Sequence, residues 1–131
     1  MSLYAPRVAM AKRVLIADDN KLVRKTIRAL LNRQRPDLEI CAETEDGRKT
    51  IDTALALRPD LLILDVQMPE LNGIEVASIL KKSLPDAKTI VFTMFSDRVG
   101  QKLASAAGVN VILPKVDGVS SFMRAVDSLL Q

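Results

Sequence analysis

The sequence predicts an α/β fold, a five-stranded parallel sheet covered by helices on both faces, and three observations carry that prediction. Five short apolar runs recur along the 131 residues, and four of them are almost unbroken rather than alternating. Strands buried on both faces read this way. Helical periodicity fills each interval. The runs begin near residues 14, 38, 61, 89 and 109, so they lie 24, 23, 28 and 20 residues apart. That is the length of strand, loop, helix and loop, repeated five times.

The first run is Val14-Leu15-Ile16-Ala17. The helix after it places Leu22, Val23, Ile27, Leu30 and Leu31 on one face and is closed by Pro36. The second run, Leu38 to Ala42, carries Glu39 and Cys41 near its ends and reads as an edge strand; Cys41 reads as a small core hydrophobe. Ile51, Ala54 and Leu55 mark the next helix, which stops before Pro59. The third run is Leu61-Leu62-Ile63-Leu64, followed by a helix on Ile74, Ala77 and Leu80 that ends before Pro85. The fourth, Thr89-Ile90-Val91-Phe92-Thr93, leads to a helix on Val99, Leu103 and Ala107 with Gly108 as its C-terminal cap. The fifth, Val109 to Leu113, leads to a last helix on Val119, Phe122, Met123, Val126, Leu129 and Leu130. Right-handed crossovers turn such a (βα)5 chain into a doubly wound, flavodoxin-like sheet of order 2-1-3-4-5. Ligands then bind beyond the carboxyl ends of the strands, near the switch between strands 1 and 3.

Composition narrows the function. Hydrophobic residues are 48% and charged residues 27%, as in an ordinary globular domain. Residues 13–131 are expected to form that domain, with residues 1–12 an N-terminal extension or cloning remnant. No run approaches the roughly 18 apolar residues of a membrane span, and the N-terminus lacks the apolar core of a signal peptide. A cytoplasmic protein without membrane contact is expected. There is no histidine and a single cysteine, which excludes imidazole catalysis, a structural zinc site and an internal disulfide. A net charge of +3 is too small for dense phosphate neutralisation along nucleic acid. Arg24, Lys25, Arg28, Arg33 and Arg35 crowd the first helix, read either as a solvated face or as a docking rim for an acidic partner.

The strand ends hold the chemistry. Strand 1 ends in Asp18-Asp19, strand 3 in Asp65, strand 4 in Thr93 and strand 5 in Pro114-Lys115. Strand 2, ending in Thr44-Glu45, is expected to lie farthest from this cluster. Asp18-Asp19 alone reads equally well as a helix cap, and Lys115 alone as a solvated lysine. Together, three carboxylates repel one another unless a cation compensates. Mg²⁺ prefers such oxygen ligands, and with Lys115 it would bring the site to neutrality. A phosphoryl group arriving on one carboxylate would then meet a metal, an ammonium and a hydroxyl.

These residues, with Val14 to Asn20, Leu64 to Gly73 and Leu113-Pro114-Lys115 around them, resemble the receiver domain of bacterial two-component response regulators from Arg13 to Leu130. The resemblance implies that Asp65 takes phosphate from a phosphohistidine on a sensor histidine kinase or phosphotransfer protein. It implies Mg²⁺ on Asp19, Asp65 and the backbone carbonyl of Gln67, with Asp18 acting through water. Lys115 and Thr93 would hold the phosphoryl oxygens, and movement of Thr93 would reshape the helix 4–strand 5–helix 5 face, which often dimerises. Such a switch catalyses only its own phosphorylation and dephosphorylation. Asn20-Lys21-Leu22-Val23-Arg24 is similar to the LuxR/NarL-type subgroup, which implies transcriptional output through a helix-turn-helix domain not in this chain.

The chain departs from the family at Ile112, where Tyr or Phe is usual, and at Met94, where a small residue is usual; Phe95 follows at a position that tunes phosphate hydrolysis. Phosphorylation with a different or weaker surface readout is expected, and Met94, Phe95 and Gln67 are expected to slow access to the site. A pseudo-receiver that is never phosphorylated is the main alternative. A haloacid-dehalogenase phosphatase would need an Asp where Gln67 stands. A nucleotide or flavin carrier would need a glycine-rich loop and stacking aromatics; the five glycines are scattered and aromatic residues are only 3%.

Overall fold

A computed structural model describes residues 11–93 and 98–131. The elements alternate as β1 (Arg13–Ala17), α1 (Lys21–Gln34), β2 (Glu39–Thr44), α2 (Gly47–Leu57), β3 (Leu61–Asp65), α3 (Gly73–Ser83), β4 (Lys88–Thr93), α4 (Arg98–Ala106), β5 (Val111–Pro114) and α5 (Gly118–Leu129). All pairings are parallel, in the order β2-β1-β3-β4-β5. The doubly wound (βα)5 sheet expected from the apolar runs is thus the observed one.

Strand alternation divides the core in two. Val14, Ile16, Ile63 and Ile90 face α1 and α5, where Ile27, Leu31, Phe122 and Val126 close over them. Leu15, Ala17, Leu62, Leu64 and Val91 face α2 and α3, against Ile51, Ala54, Val76 and Leu80. Every residue of central β3 is buried, including Asp65. Each large aliphatic side chain buried in this way stabilises the fold by about 1.5–3 kcal/mol. The edge strand β2 is only partly buried and carries a bulge. Register shifts between Val14 and Leu15, so Cys41 is the extra residue, half-buried, its thiol donating to the Val14 carbonyl at 3.4 Å. Burial pushes that thiol's pKa up. Cys41 is therefore a bulge residue at the margin of the core, packed against the α2–α3 cluster.

The helical faces are narrower than the apolar spacing suggests. Leu22, Leu55, Leu103 and Val119 share the periodicity of their helices, yet they are among the exposed large hydrophobic residues. A helix resting on a sheet covers only one stripe, and residues at its margin stay in solvent. β2 ends at Thr44, where its end was expected, whereas β5 starts at Val111 rather than Val109. Val109 instead completes the end of α4: its N–H bonds to the Ala104 carbonyl and that of Gly108 to Ser105, with Gly108 at φ +85°. This is the double bond pattern of a glycine C-cap, which a residue with a Cβ adopts only at a cost.

Candidate functional site

Five of the side chains singled out from the sequence meet at one rim of the sheet or at the ends of strands that form it. Asp65 closes β3 and is 5% exposed; Asp18, just past β1, is 2% exposed. Asp19 is on the surface. One carboxylate oxygen from each of the three lies within 4.8 Å of the others. Lys115 follows β5 directly and places Nζ 3.2 Å from Asp65 Oδ1 and 3.6 Å from Asp18 Oδ2. Thr93 ends β4, buried, one residue beyond Phe92, the partner of Asp65 in the ladder.

Local structure explains why these groups converge. The helix cap, the alternative reading of the acidic pair taken alone, belongs to Asn20, whose side chain accepts from the N–H groups of Leu22 and Val23. The carboxylates of Asp18 and Asp19 are therefore spared for the site. Asp18 Oδ1 accepts from the Asn20 N–H at 2.8 Å. After Asp65 the chain is held tightly. The Val66 N–H bonds to Phe92, that of Gly73 returns to the Val66 carbonyl, and that of Gly47 reaches Pro69. Asn72 and Glu75 form a reciprocal capping box on α3. A Cβ on Gly73 would stand 2.3 Å from the Asp65 carbonyl oxygen, so only glycine allows α3 to start so close to the site.

Burial pushes the carboxyls of Asp18 and Asp65 above their ordinary range. Around Asp18 the neighbouring carboxylates add to the rise, while the Asn20 N–H and Lys115 oppose it. Around Asp65 the Lys115 ammonium is the main opposing influence, followed by the Gln67 N–H, which lies 3.4 Å from Oδ1. Three carboxylates against one ammonium leave the cluster two charges negative. A divalent cation fits that balance, the oxygen-only donors and their spacing.

Some expectations are corrected here. The end of β2 is not remote: the Thr44 carbonyl accepts the Asp18 N–H at 3.0 Å. Nor do the basic residues along and just after α1 form one solvated face or one free rim: Lys25 and Arg33 are exposed, but the others are paired. Arg24 and Arg28 both pair with Glu43 of β2, and Arg35 pairs with Asp37 and with Asp127 of α5. These contacts escaped sequence reasoning, because nothing in the spacing of Arg24 and Glu43 brings them together. Ile112 is half-buried, paired with Val91, and packs on the α2–α3 side of the sheet. The Gln67 side chain is exposed. Met94 and Phe95 lie outside the described residues. Beside Lys115, a mainly apolar groove opens between α1 and α5, walled by Leu22, Val23, Ile27, Phe92, Val119 and Phe122. No helix among the described residues is long and apolar enough to cross a membrane.

Comparison with known proteins bears on the family and the fold. Residues 14–127 match the family model of the response regulator receiver domain. The chain is 33% identical over 117 residues to the response regulator protein VraR of Staphylococcus epidermidis, covering 89% of this chain and 56% of that protein. It is 32% identical over 119 residues to a protein-glutamate methylesterase/protein-glutamine glutaminase of Nocardioides sp., covering 89% of this chain and 32% of that one. Its fold superposes on a two-component response regulator of the LuxR family from Aurantimonas sp. with a TM-score of 0.84 at 24% identity, covering 90% of this chain and 84% of that one. The chain thus spans little more than half the length of the first of these relatives and a third of the second.

Proposed function

Because the chain belongs to the response regulator receiver family of two-component signalling, we propose that it is a phosphorylatable switch with Asp65 as its acceptor. The observation that carries this reading is the buried Asp65 carboxylate, in contact with Lys115 and grouped with Asp18 and Asp19. Asp18, Asp19 and Asp65, with the Gln67 backbone carbonyl, would hold Mg²⁺. Bound there, the ion supplies positive charge against the negative charge of a transferring phosphoryl group.

The protein's own part is nucleophile and electrostatic frame. An Asp65 oxygen uses its electron pair to form a new P–O bond. On a phosphohistidine donor the P–N bond breaks as it does so, and the imidazole nitrogen keeps that pair. Lys115, already on Asp65, then pairs with the phosphoryl oxygens, and the Thr93 hydroxyl donates to one of them. Burial serves this chemistry, since charge–charge attraction strengthens away from water. The donor partner is a sensor histidine kinase or phosphotransfer protein, and the apolar groove ending at Lys115 suits a protein donor resting on α1 and α5. Transcriptional output through a helix-turn-helix domain is proposed from the likeness to VraR and the LuxR-family structure; the methylesterase relative joins its similar segment to an enzyme instead. A homodimer through α4, β5 and α5 is part of the same proposal, read by sedimentation of the phosphorylated chain.

The test is intact mass after incubation with acetyl phosphate, with and without Mg²⁺. A single phosphoryl adduct is expected, dependent on Mg²⁺ and absent from Asp65→Asn. A chain that takes no adduct from acetyl phosphate or from a panel of sensor kinases would instead be an unphosphorylated interaction module.

A further inference from the structure

The peptide that leads into Asp19 is held from outside the acidic cluster. The Asp18 N–H still bonds to Thr44, but β2 ends there, and the Asp18 carbonyl takes a side-chain donor. That donor is Arg24 Nη1, at 2.6 Å. Arg24 lies in the second turn of α1 with its side chain only 14% exposed, and its Nε donates to Glu43 Oε1 at 3.2 Å. The other Glu43 oxygen is engaged by Arg28. The planar guanidinium thus spans two fixed acceptors, which a point-charge ammonium cannot do in the same way.

The Asp18 carbonyl and the Asp19 nitrogen share one rigid peptide plane, so holding the first sets the direction in which Asp19 leaves the strand. Asp19 needs that help. Among the described residues no hydrogen bond or salt bridge holds its carboxylate, whereas Asp18 is tied to Asn20 and Lys115, and Asp65 to Lys115 and Gln67. Yet the Asp19 carboxylate still joins the other two. We propose that Arg24, anchored by Glu43, is a positioning residue that aims Asp19 into the cation site. This rests on the reading of the acidic cluster as a Mg²⁺ site.

The sign of one measurement tests it. Arg24 is a cation beside a cation site, so loss of its charge alone would tighten Mg²⁺ binding. Loss of positioning would weaken it, by about tenfold if Arg24 behaves as outer partners of metal ligands usually do. Mg²⁺ affinity is to be measured by calorimetry on the full chain, with circular dichroism melts in EDTA to confirm folding. Arg24→Ala and Arg24→Lys should both bind about tenfold more weakly. Glu43→Gln, which keeps an acceptor for Nε, and Arg28→Ala, which leaves the Asp18 carbonyl contact intact, should bind nearly as wild type. Unchanged or tighter binding by the Arg24 variants overturns the proposal, as does an equal loss in Arg28→Ala. If Arg24→Ala does not fold, Arg24→Lys, with its charge and stem, decides. A wild type that does not bind Mg²⁺ overturns the metal site first; a wild type that binds, with Arg24 variants that match it, overturns only the role of Arg24.

Discussion

At the Asp65 side chain, function and stability pull in opposite directions. Burial holds its carboxyl above the ordinary value of 3.8, with Lys115 offsetting only part of the shift. A raised pKa means that the folded state binds its proton more tightly than the unfolded state does. Below 3.8 both states are protonated and the charge costs nothing; as pH rises through the raised folded value, the folded state loses stability relative to a neutral residue. Asp65→Asn should therefore be more stable than wild type at pH 7 without metal, by about 0.5–2 kcal/mol, the usual scale for relieving a functional site. The difference should shrink on acidification and vanish below the ordinary carboxylate range. Urea unfolding at several pH values in EDTA would show this, and an Asn variant less stable at pH 7 would contradict it. Asp18 has the same sign, again from burial first.

Among the elements, α3 packs directly against the site. Its first residue, Gly73, lets the helix begin against the Asp65 backbone, and the Asn72–Glu75 box fixes its first turn. Gly73→Ala inserts a methyl where backbone stands, so the strand end or the helix must move. A loss of about 1–3 kcal/mol is expected, as for overpacking elsewhere. Phosphorylation from acetyl phosphate should slow as well, because Asp65 itself is displaced. A Gly73→Ala chain with wild-type unfolding midpoint and wild-type adduct formation would show that α3 does not set the position of Asp65. Two other helices reach the rim: α1 through the Arg24 side chain, and α2 through the backbone N–H of its first residue, Gly47, which steadies the loop at Pro69.

Among the described residues the buried charged side chains, Asp18 and Asp65, lie at one rim, and the rest of the core is apolar or threonine. A cation that binds only the folded rim must stabilise the whole fold by mass action, by about 2.7 kcal/mol at a hundred times its dissociation constant. The thermal midpoint of wild type should therefore rise with Mg²⁺ concentration, and that of Asp65→Asn should rise much less. Equal shifts in both proteins would place the bound ion elsewhere.

The five-strand rhythm, the strand order and the placement of Asp18, Asp19, Asp65, Thr93 and Lys115 at strand ends were legible in the sequence. Unbroken apolar runs mark doubly covered strands, and right-handed connection leaves few arrangements for five of them. Tertiary structure alone decided the rest. It put Leu22 and Val119 in solvent, made Cys41 a bulge, brought β2 beside the acidic pair and turned Arg24 from a surface charge into a ligand for the Asp18 carbonyl. The physical reason is range. Periodicity and turn residues act through neighbours along the chain, so the sequence displays them. Which guanidinium meets which carbonyl, and which edge of a helix clears the sheet, depend on side chains that meet only once the layers have packed.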